Sequence, residues 1–441
     1  MTISLKTERH LFGSSGIRLP FCQELVRIAL NLGLACGKKY GEVVVGRDTR
    51  TSSALLKDIL VSGLLAGGAK VTDAGIVPTP TLAAALGTEE LGIMVTASHN
   101  PPEYNGFKVL EADGSGAGAE KQKEIEMALQ EENYRLVPWG DLGSPSIREV
   151  VEGHLDVILR NCYLQKRIKV VVDSCCGAAS LVTPRVLSEM GCEVIPVNCN
   201  HSGYPPRGVE PTEANLLELS NTVREYGADV GIGHDIDADR MMIIDELGQF
   251  VPGDKLLIAL AQESEARDIV TTLDASMVLE ELGFRVTRTA IGDVHVSREL
   301  MHHGEFGGEP SGNWIFPEVS LCPDGIYAAA RVASLTSKGK LSEQLDSIPG
   351  HPIIRGSIDS DNICLDELEK SLLSTGEGPV NDVCRTDGLK IIYSDSWILV
   401  RRSGTEPKVR ITIEAYSDDQ LRTLYQKVME SIESCRNGRL I

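Results

Sequence analysis

Four stretches of the chain place reactive groups at spacings that ordinary surface loops have little use for. In Gly233-His234-Asp235-Ile236-Asp237-Ala238-Asp239-Arg240, three carboxylates recur at every second residue between strand-like apolar runs at 228–232 and 241–244. A turn there can aim all three at one hard cation such as Mg²⁺. An EF-hand would match Asp235, Asp237, Asp239 and Glu246 to its loop, but Arg240 stands where that loop requires Gly, and the flanks read as strands. The plainer alternative is a solvated acidic turn. It ranks lower, because carboxylates crowded together without a cation repel and raise one another's pKa. Arg240 beside them points to an anionic partner of the metal.

The other three stretches suit phosphate and sugar. Thr96-Ala97-Ser98-His99-Asn100-Pro101-Pro102 leaves the apolar run 91–95, so Ser98 sits on a stiff, exposed turn. A serine hydroxyl needs a base or a metal to act as nucleophile. No Gly-x-Ser-x-Gly elbow surrounds it, which disfavours an esterase, and on this segment alone a plain turn-capping serine is the simpler reading. Arg402-Ser403-Gly404-Thr405-Glu406-Pro407-Lys408, flanked by Arg401 and Arg410, combines hydroxyls, a Gly and cations. That set makes a phosphate cradle rather than only a basic hairpin tip. Gly307-Gly308-Glu309-Pro310-Ser311-Gly312-Asn313 offers a carboxylate, a hydroxyl and an amide suited to sugar hydroxyls. Outside these four, Phe12-Gly13-Ser14-Ser15-Gly16-Ile17-Arg18 is a second Gly/Ser loop with an Arg; neither it nor the 307–313 stretch is specific alone.

The elements that must position these loops repeat. Val43-Val44-Val45, Val170-Val171-Val172 and Ile269-Val270-Thr271 are short β-rich runs. Each is followed by a loop, a helical period, a Gly at the helix C-terminus (Gly68, Gly191, Gly283) and a second strand. These are βαβ units, which imply parallel sheets with helices on both faces. The best-marked helix carries Leu55, Leu56, Ile59, Leu60 and Leu64 at helical spacing, with Ser52 or Ser53 as its cap. The last ninety or so residues read as antiparallel strands near 357–359, 388–393, 397–401 and 409–413, beside helices at 364–373 and 419–432. Linkers are expected near Pro145, 250–253 and 348–352.

Length and composition agree with several packed domains. The 441 residues suit about three domains at roughly 150 residues each. With 43 Lys plus Arg against 63 Asp plus Glu, the formal charge of −20 argues against a protein that wraps nucleic acid. A small phosphorylated ligand needs only a few local donors. No apolar run reaches the roughly 18 residues of a membrane span, and residues 1–10 lack a signal-peptide core. Eleven cysteines cannot all pair, so free thiols in a reducing, cytoplasmic setting are expected.

With these motifs on the page, the chain resembles the α-D-phosphohexomutase superfamily of phosphoglucomutases, phosphomannomutases and phosphoglucosamine mutases. The resemblance spans essentially the whole chain, with four motifs in the family's order: 96–101, 235–240, 308–312 and 403–407. It implies a heart-shaped arrangement of three similar mixed α/β sheet domains (1–150, 151–252 and 253–350) and a C-terminal α+β domain (351–441). It implies an isomerase that interconverts hexose 1-phosphate and hexose 6-phosphate through a phosphoserine and a hexose 1,6-bisphosphate. It also assigns roles by position. Ser98 would carry the phosphoryl group, and its phosphate would join Asp235, Asp237 and Asp239 on Mg²⁺. Arg18, His99, Lys108 and Arg240 would lie near the transferring group. Glu309, Ser311 and Asn313 would meet the sugar. Arg401, Ser403, Gly404, Thr405 and Arg410 would hold the non-reacting phosphate.

Ile236, Asn313, Arg402 and Leu19 depart from the common family residues, without removing a charge the chemistry needs. Trp314-Ile315-Phe316-Pro317 and Cys322-Pro323-Asp324-Gly325 look most like archaeal-type members, which leans the substrate towards glucosamine phosphate ahead of mannose or glucose phosphates. The expected partners are a phosphosugar and no nucleic acid or membrane, in a monomer or homodimer. A sugar phosphatase and a non-catalytic sugar-phosphate-binding paralogue are the remaining alternatives; intact Ser98 and all three Asp residues weigh against the latter.

Overall fold

The computed structural model describes residues 10–13, 16–87, 90–131, 134–359, 365–375, 379–402 and 408–436. Four sheets follow one another along the chain. The first contains β1 (Ile17–Pro20), β2 (Glu42–Arg47), β3 (Lys70–Ile76), β4 (Glu90–Val95), β5 (Tyr104–Leu110) and β6 (Ser146–Ile147), in the order β1-β5-β4-β2-β3-β6. The second holds β7 (Lys169–Asp173), β8 (Glu193–Val197), β9 (Val230–His234) and β10 (Met241–Asp245), in the order β10-β9-β7-β8. The third holds β11 (Asp268–Thr272), β12 (Arg285–Thr289), β13 (Phe306–Glu309) and β14 (Asn313–Ile315), in the order β12-β11-β13-β14.

Beneath the numbering lies one repeated core. Each sheet has a core of three parallel strands with an antiparallel strand beside it: β5 on β4, β10 on β9 and β14 on β13; the first sheet adds β6, parallel to β3, and β1, antiparallel to β5. The three βαβ units read from the sequence are the parallel pairs β2–β3, β7–β8 and β11–β12. Val43, Val44 and Val45 are all buried, as a strand covered on both faces requires. The closing hairpins span 96–103, 235–240 and 310–312, three of the four stretches singled out for chemistry. Topological equivalence therefore brings three different chemistries to corresponding places in three domains.

Two helix expectations need correction. Ser52 precedes the helix Ser53–Gly67, yet no side chain caps it; Ser53 Oγ is drawn instead to Asp48. The third repeat's helix shrinks to the single turn Val278–Glu281. A further helix, Gln23–Lys39, lies unforeseen against Ser53–Gly67. The two approach so closely that a Cβ on Gly33 would lie 2.4 Å from the Leu60 carbonyl oxygen, and one on Gly63 2.5 Å from that of Leu30. Glycines that depress helix propensity are here what permits the packing.

The fourth sheet is antiparallel throughout: β15 (Ile353–Asp359), β16 (Asp382–Cys384), β17 (Leu389–Ile392), β18 (Ser396–Arg402) and β19 (Lys408–Ala415), ordered β15-β19-β18-β17-β16. The helices Leu365–Thr375 and Asp418–Arg436 cover it, burying Leu368, Leu372, Leu424 and Val428 against Val400, Ile411 and Ile413. This is the α+β pattern expected.

Polar contacts lock the units together around the hairpins. Thr81 Oγ1 meets His154 Nδ1 at 3.0 Å, and His154 Nε2 meets Asp324 Oδ2 at 2.8 Å, linking the first three domains through a buried chain. The Met241 amide donates to the Gly312 carbonyl (3.0 Å), and Arg240 bridges Asn313. On the fourth domain, buried Glu414 accepts from the Met277 amide (2.8 Å), from Trp397 Nε1 (2.6 Å) and from Ser276.

Candidate active site

Ser98 lies just past the end of β4 with φ +47°, in the left-handed region that few L-residues adopt without support. The support comes from below. The Ser98 amide donates to Thr96 Oγ1 (2.9 Å), and Thr96 Oγ1 donates to Asp48 Oδ2 (2.7 Å). Arg50, 1% exposed, donates to Asp48 and to four backbone carbonyls of the turn: Ser98 (2.6 Å), Asn100 (2.7 Å), Pro101 (2.6 Å) and Tyr104 (3.0 Å). A planar guanidinium suits such a multi-acceptor role. Neither Asp48 nor Arg50 was singled out from the sequence. Their signal was Gly46-Arg47-Asp48-Thr49-Arg50 at the C-terminal end of a parallel strand, where ligand sites of α/β sheets gather.

The turn is not exposed, contrary to expectation: Ser98 is 1% exposed. The acidic hairpin of the second domain covers it. Ser98 Oγ donates to Asp235 Oδ2 at 2.8 Å, lies 3.3 Å from Asp239 Oδ1, and faces His99 Nδ1 at 3.4 Å. Residues 137 and 141 positions apart thus share one contact.

Asp235, Asp237 and Asp239 are buried, and each offers a carboxylate oxygen within 4.8 Å of the others'. Ala238 takes φ +57° to turn the chain among them. Two glycines let neighbouring backbone press against this hairpin. A Cβ on Gly177 would lie 2.3 Å from the Ile236 carbonyl oxygen, and one on Gly325 2.7 Å from that of Ala238. Ile236 fits within the hairpin because Cys175 and Val209 enclose its side chain.

Lys108 of β5 reaches this cluster, donating to Asp237 Oδ2 at 2.7 Å and to Asp239. Its ammonium alters the mutual-repulsion expectation. Asp235 is pushed well up, by burial first and then by Asp239 and Asp237. Burial pushes Asp237 the same way, but Lys108 and the Thr79 hydroxyl outweigh it and hold the carboxyl down at about 2. Asp237 Oδ1 is buried with no hydrogen-bond partner among the described residues. A set of all-oxygen, mostly anionic donors with one acceptor unsatisfied fits a hard divalent cation. These residues can hold a metal.

Further cations surround the pair. Arg18 reaches Asn100 Oδ1 at 3.1 Å from β1. Arg240 turns its guanidinium to Glu210 Oε1 at 2.6 Å, a partner the sequence did not suggest. Burial, then Arg240, Arg18 and Lys108, hold the His99 imidazole well below its usual pKa. His99 is therefore neutral beside Ser98.

Glu309 ends β13 in a fully enclosed position. Its Oε1 accepts from the Gly292 amide (2.8 Å) and its Oε2 from Asn313 Nδ2 (2.7 Å). Burial, then Asp293, push its carboxyl up to about 7. Ser311 at the hairpin tip is exposed. In the fourth domain Arg401 and Arg410 stand directly opposite each other on β18 and β19. Like charges so placed destabilise a sheet unless an anion lies between them. Arg401 Nη1 is 3.9 Å from Asp387 Oδ2, and Asp387 accepts from the Ile291 amide (3.0 Å), next to the Gly292 that holds Glu309. Ser403, Gly404 and Thr405 lie outside the described residues.

Thus Ser98, His99, Lys108, Arg18, Arg240 and the three Asp residues converge, and Glu309 and Asn313 adjoin them through the Arg240–Asn313 bridge. The described cysteines are free thiols. No described helix is long and apolar enough to cross a membrane.

Known proteins with this arrangement are recognisable along the whole chain. Family models for phosphoglucomutase/phosphomannomutase match in succession: α/β/α domain I at residues 9–135, α/β/α domain II at 148–248, α/β/α domain III at 252–350 and the C-terminal domain at 362–431. A probable phosphoglucosamine mutase of Methanocella arvoryzae is 43% identical over 433 residues, covering 96% of this chain and 98% of that one. A protein of the same description from Pyrococcus horikoshii is 40% identical, covering 96% and 98%. Among solved structures, a phosphoglucomutase/phosphomannomutase family protein of Burkholderia thailandensis superposes with a TM-score of 0.85 at 26% identity, covering 97% of this chain and 98% of that one. A phosphomannomutase-like structure from Thermus thermophilus gives 0.80 at 26% identity, covering 96% and 98%. With the serine turn, the acidic hairpin and the Glu309–Asn313 hairpin on three equivalent sheets, and all four domain models matched in order, the chain belongs to the phosphoglucomutase/phosphomannomutase family of isomerases.

Proposed function

We propose that this protein interconverts the 1- and 6-phosphates of a hexosamine, acting as a phosphoglucosamine mutase, with domain borders near 150, 252 and 350. The observation that carries the reading is the 2.8 Å contact of Ser98 Oγ with Asp235 at the meeting of two hairpins. A serine in a strained turn, against three carboxylates and ringed by Lys108, Arg18 and Arg240, suits a phosphoryl carrier. The names of the relatives at 43% and 40% identity support glucosamine phosphate as the substrate.

In this reading Ser98 carries a phosphoryl group and passes it to the free hydroxyl of a bound sugar phosphate. The resulting bisphosphate turns over, and its other phosphoryl group returns to Ser98. Lys108, Arg18 and Arg240 offset the charge of the moving group, and neutral His99 can accept a hydrogen bond beside it. Mg²⁺ held by Asp235, Asp237 and Asp239 would supply Lewis-acid stabilisation of phosphoryl charge. Glu309, Asn313 and Ser311 orient the sugar. Arg401 and Arg410, with Ser403, Gly404 and Thr405, hold the second phosphate. A sugar 1,6-bisphosphate serves as activator because it restores the phosphoserine.

The test is Ser98→Ala. Turnover of glucosamine 6-phosphate should vanish, and intact-mass spectrometry should find a phosphoryl group on the parent only. Undiminished turnover by the variant would remove Ser98 from the mechanism.

A further inference from the structure

Cations gather around His99: Arg18, Lys108 and Arg240, and from the fourth domain Arg410, opposite Arg401. The third sheet supplies acidic groups instead. Asp274 follows β11, Asp293 opens the helix Asp293–Leu300, and Glu309 ends β13. Glu309 feels both Asp293 and Asp274, each pushing its pKa up. Asp293 in turn lies within Coulombic reach of Lys108, Asp239, Arg18 and Arg240, and lines the same pocket as Lys108 and Asp239. It therefore stands between the phosphoryl-transfer groups and the sugar hairpin.

The three carboxylates are not equally satisfied. Asp274 accepts from Thr272 Oγ1 at 2.6 Å, and Glu309 accepts from the Gly292 amide and Asn313. Asp293, half-buried, takes part in no side-chain hydrogen bond or ion pair among the described residues, and Asn313 Oδ1 beside Glu309 is a buried acceptor without a donor. A carboxylate in a helix's first turn is favourable in itself, but that does not call for one inside a phosphate-binding cleft. A bare carboxylate repels a phosphate and gives nothing to a neutral sugar that an amide would not give. It does suit an ammonium, which brings both positive charge and donors.

We propose that Asp293, backed by Asp274 and Glu309, is the counter-charge for a protonated amine on the substrate, and so selects a 2-amino-2-deoxyhexose phosphate over its neutral analogue. This rests on the mutase reading above and goes beyond it by assigning the selectivity to a residue.

The experiment compares kcat/KM for glucosamine 6-phosphate and glucose 6-phosphate in the parent, Asp293→Asn and Asp293→Glu, each with Mg²⁺ and the matching 1,6-bisphosphate. Asparagine keeps the shape and removes the charge. The ratio favouring the amino sugar should fall about tenfold or more in Asp293→Asn, carried by KM for the amino sugar, and Asp293→Glu should recover part of it. A ratio unchanged in Asp293→Asn, whatever happens to the absolute rates, would show a merely structural role and overturn the proposal. A parent that itself prefers glucose 6-phosphate would overturn the substrate reading and the role of Asp293 with it. A parent that prefers the amino sugar and a variant that keeps its ratio would overturn the role of Asp293 alone.

Discussion

The serine hairpin at 96–103 and the acidic hairpin at 235–240 hold equivalent places in their sheets, yet they are stabilised in opposite ways. The serine turn is organised from within its own domain. Arg50 gathers four of its carbonyls, and Asp48 anchors Arg50 and Thr96. The acidic turn is shaped largely by neighbours. The Thr79 amide of the first domain donates to the Asp237 carbonyl (2.9 Å), and the Gly325 amide of the third donates to that of Ala238 (3.2 Å). In the proposed mechanism the nucleophile is thus preorganised locally, whereas the candidate cation site is completed only when three domains meet. That division suits a chemistry in which a covalent carrier must stay fixed while charge is delivered to it.

The largest expected effect comes from removing the local support. Arg50→Met should destabilise the first domain by roughly 3–5 kcal/mol, because buried Asp48 loses its ion partner and four carbonyls lose their donor. Ser98 phosphorylation by added bisphosphate should fall at least as steeply as melting temperature. A variant that melts early but phosphorylates normally at low temperature would show that the turn keeps its shape without Arg50.

Next is Asp237→Asn, which neutralises the carboxylate whose Oδ1 lacks a partner. Turnover and Mg²⁺ affinity should drop together, by on the order of a few kcal/mol. Calorimetric titration with Mg²⁺ checks this. Equal affinity in parent and variant would place the metal elsewhere.

Gly325→Ala tests dependence on the neighbours. The added Cβ would meet the Ala238 and Arg240 carbonyl oxygens at 2.7 and 2.8 Å. A cost of about 1–3 kcal/mol is expected, with Mg²⁺ binding weakened more than the folding of the first domain. Mg²⁺ titration beside domain-resolved hydrogen exchange separates the two. If both change equally, the contrast between the hairpins fails.

The smallest effect is a pH slope from Glu309. Its carboxyl titrates at about 7 in the folded protein against an ordinary 4.5. Between those values the folded state keeps a proton that the unfolded state gives up, so this contribution is complete below 4.5 and is lost as pH rises through 7. Glu309→Gln should flatten the decline in melting temperature across that window by about 2–4 °C. Parallel curves for parent and variant would mean that Glu309 titrates normally.

Much of this was legible in one dimension. Three carboxylates two apart, between runs that alternate towards strands, specify an acidic hairpin, because a tight turn leaves little freedom over where short side chains point. The repeated β-rich run, helical period and Gly specify βαβ units by hydrophobic period alone. The helix Gln23–Lys39 was not legible, since Gly33 and Gly37 weaken its local signal and only the close approach of Ser53–Gly67 explains them. Arg50 could not be assigned either: its four acceptors are backbone carbonyls, which every residue carries and no sequence distinguishes.

Residue type and spacing by themselves determined which groups can bind a cation or a phosphate, because charge and donor inventory belong to the side chain. Tertiary structure alone decided that Ser98 is covered rather than exposed, that Lys108 divides the three carboxylates into one raised and one lowered, and that Asp293 lies within Coulombic reach of Lys108, Arg18 and Arg240. Burial and Coulombic coupling depend on distance through space, and the distances that matter here join residues more than a hundred positions apart.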